Sequence, residues 1–289
     1  MSHVVSSSTQ AARPAPDVVL YHADCSDGFG AAWALWKKFP TAEFQAVKHG
    51  YPPPPHLAGR HIVMVDFSYA RPLLEAMAQE AASLQVLDHH ITAQDALAGL
   101  PYAYFDLKKS GAVLAWEWAH QQPVPWLLQY VQDKDLWTWA LPGSREINAA
   151  LASYPHEVHV WDTLRQEQLE AEGRAILRFE TELVGKIAAS AVMLPFQGAL
   201  VPVAHSSVLT SQIGERLSHD HPFCVIWHDR DGRRYYSLRS RDDGADVAAI
   251  AMQYGGGGHT HAAGFSTPLG PNAPLPFDPL DEAKAKVKR

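Results

Sequence analysis

The chain has 289 residues, 47% of them hydrophobic, and a formal charge of −7 with histidines neutral. That length suffices for two domains with a sizeable core, and the acidic balance argues against coating long nucleic acid, which needs a basic face. Two cysteines without a CxxC spacing argue against a disulfide framework and fit a reducing cytosol, and no apolar run reaches the roughly 18 residues of a membrane span.

Residues 1–16 are rich in Ser, Ala and Pro and have no apolar h-region, so they read as a disordered tail rather than a signal peptide. Residues 18–21 form a first apolar strand, running into His22-Ala23-Asp24-Cys25-Ser26-Asp27-Gly28. A helix opens at Ala31 and ends near Pro40, and residues 44–47 are a second strand. Four consecutive prolines between Tyr51 and His56 make an extended loop. A third strand, 62–65, runs into Asp66; Leu73, Leu74, Met77 and Ala81 give residues 71–82 helical spacing. Residues 84–87 are the next strand, and it ends in Asp88-His89-His90. This alternation is βαβ-like and implies a largely parallel sheet flanked by helices.

Three strand ends thus carry carboxylate and imidazole groups. In open parallel sheets, ligands collect outside the carboxyl ends of strands. Carboxylate with imidazole suits manganese, magnesium or zinc. A lone Asp after a strand is usually a helix cap; three such ends, one of them Asp-His-His, point to a metal site.

Residues 112–120 and 126–131 read as helices, followed by Asp133-Lys134-Asp135 and then Trp137 and Trp139. Two readings stand here. Either a capped helix end buries the tryptophans in the core, or Asp133 is the last metal ligand and the tryptophans line a wall. After a short helix at 146–151, a long helical stretch spans 161–191, with Leu164, Gln168, Ala171, Ala175 and Phe179 proposed for its inner face. It reads as a connector. A smaller α/β domain follows: strand 198–204, helix 208–217, strand 223–227, a turn at Asp231-Gly232, strand 235–240, helix 247–252, and then Gly255-Gly256-Gly257-Gly258-His259. The predicted domains are therefore 17–160, a helical linker at 161–192, and 193–268, with tails at 1–16 and 269–289.

At this point the chain resembles the DHH phosphoesterase superfamily, in the branch with a DHH-associated C-terminal domain. The residues carrying the resemblance are His22 to Gly28, Val65-Asp66, Leu87-Asp88-His89-His90, Asp133, Ser237-Leu238-Arg239-Ser240, and Gly256-Gly257-Gly258-His259 through Gly264-Phe265. The resemblance implies two domains with a cleft, two bound Mn²⁺ ions (Mg²⁺ or Co²⁺ as substitutes) and phosphoester hydrolysis. It implies His22, Asp27, Asp66, His89 and Asp133 as metal ligands. It makes Asp88 an acid that orients its neighbours and His90 a contact to the substrate phosphate, the two catalytic assignments.

One departure matters. The family usually has two aspartates separated by one residue before the glycine, whereas Asp24 and Asp27 are separated by two. Either the loop bulges and Asp24 still ligates, which is the expectation adopted here, or Cys25 or water takes its place. A nucleophilic role for Cys25 lacks the accompanying groups.

Two divalent ions about 3.5–4 Å apart can activate a water and hold the attacked phosphate; Asp66, central in order, is the expected bridge. In the second domain, Arg239 can fork onto a terminal phosphate. Gly256, Gly257 and Gly258 let backbone N–H groups approach phosphate oxygens, and His259 adds a donor. His49, His56, His156 and His219 read as surface residues. The expected activity is a cytoplasmic, Mn²⁺-dependent hydrolase of short oligonucleotides, cutting from an end. Alternatives are an adenosine 3′,5′-bisphosphate phosphatase, a cyclic-dinucleotide phosphodiesterase, or a non-catalytic nucleotide-binding module. No membrane or long-duplex partner is expected, and a homodimer is left open.

Overall fold

The computed structural model describes residues 14–270; the tails predicted over 1–16 and 269–289 lie largely outside that range. In chain order the elements are β1 (Val18–His22), α1 (Ser26–Lys38), β2 (Glu43–Val47), β3 (His61–Val65), α2 (Arg71–Glu80), β4 (Ser83–Asp88), α3 (Ile91–Ala96), β5 (Ala103–Phe105), α4 (Gly111–Ala119), α5 (Trp126–Asp135), α6 (Ser144–Leu151), α7 (Val158–Trp161) and α8 (Gln166–Ala189). Then come β6 (Val192–Phe196), β7 (Ala199–His205), α9 (Thr210–Leu217), β8 (Cys224–Arg230), β9 (Arg233–Arg239), α10 (Val247–Met252), β10 (Gly257–His259) and β11 (Ala262–Pro268). The chain is α/β, as expected. It divides into two compact units, the first taking in the described chain up to Asp88, then Gly99–Leu136 and His156–Trp161, the second the remainder.

The first unit is built on a five-stranded sheet in the order β2-β1-β3-β4-β5, and every pairing in it is parallel. The central strands are near-continuous apolar runs, as sheets covered on both faces require: Val18, Val19 and Leu20 are fully buried, as are Met64 and Val65. Helix α1 carries Asp27 in its first turn and Lys37 and Lys38 in its last, matching the helix dipole at both ends. Its buried face packs on α4 and α5, with Gly30 against Ala112 and Leu128.

The second unit holds a six-stranded mixed sheet, β10-β11-β9-β8-β7-β6, in which only β7 and β8 pair in parallel. Alternation along β8 feeds two cores. Val225 joins Phe196, Val203, Tyr236, Leu238 and the α10 residues Val247 and Ala251. Cys224 and Ile226 join Val184 of α8 and Ile213 of α9 on the opposite face.

Several element predictions are corrected. The stretch predicted as one helix from 161 begins as the separate turn α7, and α8 starts at Gln166, leaving Leu164 outside. The face proposed for α8 is the wrong one. Leu169, Gly173 and Val184 are buried, whereas Gln168, Ala171, Ala175 and Phe179 are exposed. The stripe is one residue out of phase because Gly173 packs on α6: a Cβ there would meet the Glu146 carbonyl oxygen at 1.8 Å. A small residue at a helix crossing gave no hydrophobic signal. Strand β6, which falls just past the predicted helix, and the short elements β5 and α3 are not anticipated by the sequence. Helix α5 runs four residues further than expected, so Asp133 and Asp135 are helical.

Candidate metal centre

In a sheet ordered 2-1-3-4-5, successive connections leave in opposite directions on either side of β1 and β3, and a crevice opens at their carboxyl ends. His22 is the last residue of β1 and Asp66 follows β3. His22 Nδ1 lies 3.5 Å from Asp66 Oδ2. Asp66 is 2% exposed and sits in the left-handed region with φ 53°. Asp tolerates that conformation better than most residues, yet it costs of order 1–3 kcal/mol, and such outliers gather at functional sites. Space for the Asp66 side chain comes from Gly111: a Cβ at that position would stand 2.4 Å from Asp66 Cβ.

The loop after β1 absorbs its extra residue at Asp24. That residue also takes a left-handed φ, 59°, and its exposed carboxylate pairs with Lys48. The next residue, Cys25, is turned inward. It is the N-cap of α1, with its Sγ accepting the Gly28 N–H at 3.5 Å. The thiol itself points at Asp66 Oδ2, 3.7 Å away. His22, Cys25 and Asp66 therefore each offer a donor atom within 4.8 Å of the others. Burial pushes the Cys25 thiol pKa well up, and the carboxylates of Asp66, Asp27 and Asp135 add to the rise. Asp24, expected among the ligands, is not brought to this group; Cys25 is.

Asp27 is 2% exposed. Its two oxygens accept the N–H groups of Gly111 at 2.6 Å and Ala112 at 3.0 Å, so it caps α4. A carboxylate oxygen has a second lone pair, and the position still allows a ligand role. Asp88 ends β4, beside β3, at 1% exposed. Asp133 is buried in the last turn of α5, and Asp135, two residues on, is the carboxylate whose charge acts on Cys25. The sequence shows Asp135 beside Asp133, but its pattern assigns a role to Asp133 alone. His49 is exposed, as a surface residue is expected to be, and its ring packs on Phe67 at 4.4 Å and lies 5.7 Å from His22.

In the second unit, His89, His90 and His259 form a group of three imidazoles. Their ring centroids are 4.7, 5.1 and 4.8 Å apart, with His90 stacked on His259. The glycine run is not an open loop. Gly257–His259 is a strand paired antiparallel with β11. A Cβ at Gly256 would meet the Gly264 carbonyl oxygen at 2.1 Å, one at Gly257 would meet Thr92 Oγ1 at 3.0 Å, and Gly258 has φ 140°. These glycines permit close backbone approach, and β10 lies at the edge of its sheet. Arg239 is packed under α9, donating to Ser211 Oγ at 3.1 Å and to the Leu238 carbonyl at 2.8 Å. Burial lowers its pKa from the ordinary arginine value.

Among the described residues no helix is long and apolar enough to cross a membrane. No family model matches the chain. It is 34% identical to the uncharacterized protein R106 of Acanthamoeba polyphaga mimivirus, across 92% of this chain and 70% of that protein. It is 30% identical to the oligoribonuclease NrnB of Bacillus subtilis, over 38% of this chain and 27% of that protein. Among solved structures it is similar to the pGpG-specific phosphodiesterase PggH of Vibrio cholerae, at 13% identity, covering 94% of this chain and 96% of that one, with a TM-score of 0.46. The chain belongs to one family with R106, and it carries the Asp88-His89-His90 and Gly256-Gly257-Gly258-His259 motifs on which its resemblance to the DHH superfamily rests.

Proposed function

We propose that the chain is a divalent-metal-dependent phosphodiesterase that shortens small oligonucleotides from an end, in the cytoplasm. The observation that supports it best is the group His22, Cys25 and Asp66 at the β1/β3 switch point, with Asp88 ending the neighbouring strand. Imidazole nitrogen and carboxylate oxygen are donors that suit Mn²⁺, Mg²⁺ or Co²⁺. Asp27, Asp133 and Asp135 supply further buried or half-buried carboxylates in the same unit, enough to hold two ions. Bound there, such ions acidify a water and neutralise phosphate charge.

The rest of the chemistry falls to side chains. In this reading Asp66 would be the carboxylate shared by the ions, and His22 is held against it. Asp88 orients the residues around it. His89 keeps the metal-ligand role expected of it, and the imidazole N–H groups of His90 and His259 are donors suited to phosphate oxygens. Residues 17–160 carry the chemistry, 161–192 link, and 193–268 bind substrate through Arg239, the Gly256–Gly258 backbone and His259. The short-substrate reading draws on the net charge of −7, unfavourable to long polyanions, and on the partial match to a protein named an oligoribonuclease.

The test is a panel of labelled di- to deca-nucleotides, a cyclic dinucleotide and adenosine 3′,5′-bisphosphate, each with Mn²⁺ and with excess EDTA. Mononucleotide release from the short linear substrates, lost in EDTA, is the expected result. Metal-replete protein that binds oligonucleotides without cleaving any of them would instead indicate a binding module.

A further inference from the structure

We infer that Cys25 is itself a metal ligand, completing a His22–Cys25–Asp66 set, and that this thiolate draws the site toward thiophilic divalent ions such as Zn²⁺ and Co²⁺. The inference rests on the metal-site reading given above and goes beyond it in naming a sulfur donor and its consequence.

The geometry arises in a chain of small steps. The loop after β1 has one residue more between its two aspartates than the family pattern. The left-handed turn at Asp24 takes up that residue and sends the Asp24 carboxylate to Lys48 at the surface. Cys25 then occupies the inward position. Its Sγ lies 3.7 Å from Asp66 Oδ2, while His22 Nδ1 lies 3.5 Å from the same oxygen. Three donors of different chemistry converge on one point, and all three come from the carboxyl ends of adjacent parallel strands or the loop beyond.

Cys25 has a plain structural role as N-cap of α1. Serine does that work at least as well as cysteine, so capping alone does not require sulfur. Replacing an expected carboxylate oxygen by sulfur makes the set softer. Soft ligands favour Zn²⁺ and Co²⁺ over Mg²⁺ and Mn²⁺. On binding, the Cys25 S–H bond breaks, a sulfur–metal bond forms, and the proton leaves to solvent; no electrons are exchanged.

The experiment uses the full chain stripped of metal and titrated with Co²⁺, followed by absorption spectroscopy. Wild type is expected to show an intense near-ultraviolet sulfur-to-cobalt band together with visible ligand-field bands. Cys25→Ser should bind Co²⁺, keep the visible bands and lose the ultraviolet band. Cys224→Ser should keep both, because Cys224 is buried in the second unit with its thiol on the Gly214 carbonyl. Competition titrations of the same proteins should show Cys25→Ser losing Zn²⁺ affinity by about tenfold or more, with a smaller change for Mn²⁺. Visible bands without the ultraviolet band in wild type would overturn the sulfur ligand and leave the metal site intact. Absence of any Co²⁺ binding would overturn both the inference and the reading beneath it.

Discussion

The Asp27 carboxylate accepts the backbone N–H of Gly111 at 2.6 Å, a bond between residues 84 apart in the chain. With the second bond, to Ala112, it ties the first turn of α1 to the first turn of α4. Asp27 therefore holds the first unit together as well as standing among the candidate ligands. Asp27→Ala in metal-free protein should cost about 1.5–3 kcal/mol, the worth of charge-assisted hydrogen bonds. Chemical denaturation in EDTA measures it. An unchanged midpoint would mean that α4 does not depend on this cap.

Asp66→Asn should behave differently. Asparagine tolerates a left-handed backbone as aspartate does, so the metal-free fold should keep its stability to within about 1 kcal/mol. Removing the charge beside His22 and Cys25 should cut metal-dependent hydrolysis by ~10²-fold or more. Near-normal turnover in this variant would remove Asp66 from the ligand set.

Gly111→Ala tests the space around Asp66. The new methyl would meet Asp66 Cβ at 2.4 Å, and the Asp27 carboxylate at 3.0 Å. Overpacking of this kind costs about 1–3 kcal/mol, and here it should weaken metal binding at the same time. Calorimetry with and without Mn²⁺ separates the two effects. A variant that binds metal with wild-type affinity would show that the two acids can shift freely.

Cys224 gives a pH prediction. Burial pushes its thiol pKa up to about 12 from an ordinary value of 9.0. Between those pH values the unfolded chain gives up the thiol proton while the folded protein keeps it. The unfolded state then binds fewer protons, so stability falls as pH rises through this window, by at most about 1.4 kcal/mol per pH unit for one group. Denaturation midpoints from pH 8 upward should decline less steeply in Cys224→Ala than in wild type. Equal slopes would show that the thiol is not the titrating group.

The parallel sheet was legible because its strands are uninterrupted apolar runs that each end in an acid or a histidine: Val65 before Asp66, Leu87 before Asp88. Periodicity showed less where packing depends on a missing side chain. The buried face of α8 turns on Gly173, which adds nothing to an apolar pattern, and the predicted stripe through Phe179 proved to be solvent-facing. The glycines before His259 were read for their freedom, whereas most of what they do is let β10 lie close to β11. At Asp24 the spacing anomaly was visible, but its resolution depended on a backbone torsion that no residue pattern encodes. Asp135 is visible in the sequence but has no assigned role there, because Asp133 already meets the family pattern.

Gly173 of α8 has a bearing on how variation in this chain will be read. A survey of every single-residue change would mark Gly173 as intolerant, since any side chain drives into the backbone of Glu146. It would mark Asp66 as intolerant too. On such a map a helix crossing and a proposed metal ligand look alike. They separate only when abundance and turnover are scored side by side: variants at Gly173 should be lost from the cell, while those at Asp66, on the proposed metal-site reading, should persist as inert protein.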